Sequence, residues 1–61
     1  MSQLSEKELN TIKDLLSEEE LLVKKFKMLA SQAEDREIKE RYETISKQHQ
    51  NHYNALYAYL Q

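Results

Sequence analysis

The chain has 61 residues, no cysteine, glycine, proline or tryptophan, and a formal net charge of −2 from nine basic and eleven acidic side chains. This excludes a disulfide scaffold and leaves room for one small domain; charges of both signs alternate without a basic block, which argues against nucleic-acid binding. The longest apolar run is Leu21-Leu22-Val23, far short of the roughly 20 residues that cross a bilayer. The N-terminus also lacks the basic start and apolar centre of a signal peptide, so the expectation is an intracellular protein with no membrane partner.

The first predicted helix is announced by Ser5, followed three residues later by Glu8 in the spacing of a capping box, with Leu4 and Leu9 placed to close a hydrophobic staple. From there Leu9, Ile12, Leu16, Val23, Phe26, Ala30 and Ala33 recur at helical steps, and Leu15, Leu22 and Leu29 widen the stripe on one side. Three positions in seven is the width of a helix inside a bundle rather than of a narrow two-stranded seam. One core position, Glu19, is polar.

The pattern then loses phase between Ala33 and Ile38, where continuing the first heptad would bury Glu37 and Glu40. The phase shift favours a turn, with Asp35 as N-cap of a second helix, over one continuous helix of about 55 residues, which the lack of glycine and proline leaves open. The expected layout is a single domain with a helix over about 6–33, a turn at about 34–36 and a helix over about 37–60. In the second helix Ile38, Tyr42, Ile45, His49, His52, Leu56 and Tyr59 share one face. Tyr53 falls at the edge of that face, Tyr57 lies outside it, and Ser5, Ser17 and Ser46 read as cap or surface residues. The pairs Glu20 with Lys24, Asp35 with Lys39, Glu37 with Arg41 and Glu43 with Lys47 have the favourable acid-first i,i+4 order on solvated faces.

A stripe this wide cannot be covered by one neighbouring helix, and a chain this short buries a poor fraction of its surface alone. The fold expected is therefore all-α: an antiparallel helical hairpin that dimerises into a four-helix bundle. Its core would be Leu9, Ile12, Leu15, Leu16, Leu22, Val23, Phe26, Leu29, Ile38, Tyr42, Ile45, Leu56 and Tyr59.

Folding the hairpin near position 35 puts Glu19 roughly 21 Å below the turn, a height matched on the second helix near residue 51. Glu19 should then face His49 and His52. Carboxylate and neutral imidazole are ordinary ligands for zinc, iron or manganese, so these three residues are candidate metal ligands, although no cofactor is required. The other reading is a buried hydrogen-bonded layer that fixes helix register. No nucleophile, glycine-rich loop or carboxylate pair at catalytic spacing is evident, so an enzyme is not expected.

The segments Leu-Ser-Glu-Lys-Glu-Leu-Asn at 4–10, Asp-Leu-Leu-Ser-Glu-Glu-Glu-Leu-Leu-Val-Lys-Lys-Phe at 14–26, Ala-Ser-Gln-Ala-Glu-Asp at 30–35 and Lys-Gln-His-Gln-Asn-His-Tyr-Asn-Ala-Leu at 47–56 resemble the Coat F type spore-coat proteins of endospore-forming Firmicutes. The resemblance implies a ferritin-like helical character and a structural or accessory protein of the spore or spore coat, with other coat proteins as partners. Ferritin-like carboxylate oxidases use Glu-x-x-His ligand pairs, whereas here Ser46 precedes His49 by three and His49 precedes His52 by three. Oxygen chemistry of that kind is therefore not implied. Three functions follow as expectations: a non-catalytic self-assembling protein, a metal-binding bundle for storage or sequestration, and a helical adaptor that captures another chain.

Overall fold

Ser5 opens the first helix as its spacing requires. In the computed structural model, which describes residues 3–61, the Glu8 amide donates to Ser5 Oγ at 3.1 Å and the Ser5 amide donates to Glu8 Oε1 at 2.9 Å. Both halves of the capping box are thus made, satisfying two amides that the helix itself leaves without partners. Helix α1 runs over Glu6–Gln32. The Ser5 backbone hydrogen bond, followed by the one from its side chain to Glu8, holds the Glu8 carboxyl below its ordinary value.

A lowered carboxyl contributes stability that is complete above its unfolded-state value and fades as pH falls through the folded one. Acidification is therefore expected to fray the first turn of α1 selectively, lowering the protection factors of the Ser5, Glu8 and Leu9 amides once the intrinsic pH dependence of exchange is divided out, and Glu8→Gln should flatten that dependence because glutamine still reaches the Ser5 amide. Protection factors at these amides that are equally pH-dependent in Glu8→Gln would contradict this assignment.

The chain doubles back over Ala33, Glu34 and Asp35, so the continuous rod is not formed. Ala33 (φ −71°, ψ 131°) and Asp35 (φ −76°, ψ 126°) are both extended, and no described residue has positive φ. That is why the turn needs no glycine. Asp35 caps the second helix as expected, its carboxylate accepting from the Ile38 amide at 2.9 Å. Helix α2 spans Arg36–Tyr57 and tightens into a single 3-10 turn at Ala58–Leu60.

The two helices pack along their length as an antiparallel hairpin, a slab of 46 × 17 × 11 Å. From α1 it buries Leu16, Val23 and Ala30, which repeat every seven residues, and from α2 it buries Ser46. Leu9, Ile12, Leu22, Phe26 and Leu29 of α1 and Tyr42, Ile45 and Leu56 of α2 are half-buried. No helix is long and apolar enough to cross a membrane among the described residues.

The seam of α2 differs from the sequence reading by a small rotation. Ser46, read above as a cap or surface residue, is only 3% exposed and donates to the Val23 carbonyl at 3.0 Å, while Ile38 and Tyr59 are exposed. The line that meets α1 runs through Tyr42, Ser46, His49, Tyr53 and Leu56. It shares Tyr42, His49 and Leu56 with the expected face, and the steps of four and three are equally regular in both. A small hydroxyl beside Val23 lets the helices approach closely and uses its own polar atom, which favours this rotation over one that centres Ile45 and His52 on the seam.

A second correction concerns the surface. None of the four anticipated i,i+4 pairs reaches ion-pair distance; among the described residues Arg36 Nε and Glu40 Oε1 do, at 3.5 Å. Exposed charges in water gain little from pairing and lose rotamer freedom by it, so solvated side chains are the expected outcome.

Candidate metal site on the hairpin

Glu19 sits one turn from Leu16 and Val23 on α1, and the antiparallel return of α2 brings both imidazoles to it. His49 Nδ1 lies 2.6 Å from Glu19 Oε1 and His52 Nδ1 lies 3.3 Å from Glu19 Oε2. One carboxylate thus meets two rings, each through its Nδ1 atom. All three residues singled out from the sequence converge, and one donor atom from each lies within 4.8 Å of the others.

Their exposures grade outward. The side chains of Glu19 and His49 are 18% and 21% exposed, whereas that of His52 is 60% exposed. The site is therefore a half-buried notch with one ligand at its mouth, not the enclosed layer expected from the heptad pattern. The same rotation of α2 that buries Ser46 turns position 52 outward.

Packing fixes the inner ring. Phe26 stacks on His49 at 5.8 Å between centroids with an interplanar angle of 22°, and His52 meets His49 edge-on at 5.7 Å. Phe26 also packs on Tyr42 at 5.8 Å. An aromatic wall on one side and a carboxylate on the other leave the His49 imidazole little freedom to turn. No lysine or arginine among the described residues reaches Glu19, whose partners are the two imidazoles.

Sequence reasoning missed Ser46 as a positioning residue. It lies one turn before His49 and ties α2 to the α1 backbone at Val23, one turn beyond Glu19. Its signal was present: Ser46 belongs to the alternative seam through Tyr42 and His49, and a small residue facing a core backbone is a usual mark of close helix approach.

Fold and site together define an α-helical hairpin carrying a Glu/His cluster between its helices. In comparisons with known proteins, no family model, no curated protein and no solved structure matches the chain.

Proposed function

We propose that the chain is a non-catalytic, self-associating protein whose activity is assembly, two hairpins pairing their open faces into a ferritin-like four-helix bundle. The observation that carries this reading is surface area. The hairpin exposes 5134 Å², whereas a compact monomer of 7.3 kDa exposes about 4,200 Å². The excess, on the order of 1,000 Å², is comparable to the roughly 800 Å² that each partner of a standard interface contributes.

Several of the exposed or half-buried apolar side chains share one side. His52 reaches Glu19, so the line Ile38, Ile45, His52 and Tyr59 of α2 borders the side of α1 that carries Glu19, where Leu15, Leu22 and Leu29 also run. The opposite side is polar, a groove lined by Glu20, Lys24, Lys27, Gln50 and Tyr53 over Val23. An amphipathic slab of this kind is half of a four-helix bundle. The likeness to Coat F type proteins supports a spore or spore-coat setting, with other coat proteins as further partners.

Sedimentation equilibrium over a wide concentration range tests the assembly. The expected mass is twice the 7.3 kDa chain. A monomer at every concentration would remove self-assembly and turn the open face toward a different partner chain, the adaptor reading. The metal-binding reading is favoured by its own observation, the convergence of Glu19, His49 and His52.

A further inference from the structure

We infer that Glu19, His49 and His52 bind one divalent transition-metal ion of the zinc class within each hairpin, cross-linking α1 to α2 and leaving a coordination position open at the exposed His52 side. Two imidazoles and one carboxylate suit zinc and its first-row neighbours, whereas magnesium and calcium take mainly oxygen ligands. Three protein ligands with an open fourth position are also the usual set of a zinc site that keeps water.

The geometry is nearly that of a ligand shell. A tetrahedral ion with bonds of about 2.0–2.1 Å holds its ligand atoms about 3.3 Å apart. The three donors here lie within 4.8 Å of one another, with carboxylate-to-imidazole separations of 2.6 and 3.3 Å. To hold one ion, the 2.6 Å contact between Glu19 and His49 would open toward the tetrahedral spacing and any wider separation would close toward it.

Charge gives an independent reason. Glu19 is four-fifths buried and faces imidazoles alone. No lysine or arginine among the described residues lies within ion-pair distance of Glu19, and a largely buried carboxylate is stabilised when a nearby cation balances it. A divalent cation supplies that balance where no lysine or arginine does. His52, at the mouth, gives the ion its way in.

The site needs only one hairpin, so it stands or fails independently of self-association. The test uses untagged, metal-free full chain titrated with zinc chloride and, separately, with cobalt chloride. The expected result is one ion per chain with a Kd of about 1 µM or tighter, and a cobalt absorption spectrum of the intense four-coordinate type. Zinc at a hundredfold excess over Kd should raise the melting temperature by about 15 °C, because the ion binds only the folded arrangement.

His52→Ala removes a ligand that is mostly exposed, so the fold should survive while affinity falls about a hundredfold or more. Stoichiometric binding retained in His52→Ala would place the ion elsewhere and overturn the assignment, as would the absence of saturable binding in the parent protein. The lysine variant of the open face described below should still take one ion per chain. Loss of binding in that variant with its helix content unchanged would overturn a site contained in one hairpin.

Discussion

Lysine introduced together at Leu15, Ile38 and Tyr59 is expected to leave monomeric hairpins with undiminished helix content. All three side chains are exposed in the single hairpin, so each replacement should change folding stability by no more than about 0.5 kcal/mol. In the proposed paired bundle the same positions would be covered, and each substitution would occur twice across the interface. Burying even a few of these ammonium groups without partners costs several kcal/mol, and a loss of about 4 kcal/mol corresponds to about a thousandfold in Kd. Sedimentation equilibrium reads the change directly.

The added charges oppose the formal net charge of −2, so general repulsion between copies would not explain dissociation. Leu21 and Met28, also exposed, lie on the far side of α1 from the seam. Lysine at both should leave association unchanged. Equal loss of association in the two variants would show that the apolar surface acts without regard to face, and the paired-hairpin assembly would fall.

Leu16→Ala is expected to cost about 2–5 kcal/mol in urea unfolding. A 61-residue chain has a total stability of only about 3–9 kcal/mol. One truncation thus removes a large share of it. Leu16 is among three buried apolar residues in the hairpin, with Val23 and Ala30, and no side chain among the described residues is fully enclosed. With so small a core, neighbours cannot collapse into the gap without separating the helices. Leu21→Ala, at an exposed site of the same helix, should stay within about 0.5 kcal/mol. Similar losses at both positions would mean that helix propensity, not packing between helices, holds the fold.

The helix starts were legible because capping is local chemistry. Ser5 with Glu8, and Asp35 with the Ile38 amide, are interactions within one turn, written in residues three apart. The hairpin was legible because a phase break between Ala33 and Ile38 leaves charged residues in the core unless the chain turns. The meeting of Glu19 with His49 and His52 followed from the turn and the rise per residue, both nearly independent of side-chain detail.

What the sequence by itself determined, then, is two capped amphipathic helices, the place where they fold back, and the height at which a carboxylate meets two imidazoles. The rotation of α2 about its own axis was decided only in the tertiary structure. Two seams, through Ile45 and His52 or through Ser46 and Tyr53, share Tyr42, His49 and Leu56 and have the same periodicity, so counting apolar positions favours the first. Packing favours the second, because Ser46 fits against the Val23 backbone and bonds its carbonyl, and that rotation of a fraction of a turn carries His52 and Tyr59 outward, whereas Ile38, about five turns from Leu56 and so on the same face, is exposed by its place in the first turn of α2.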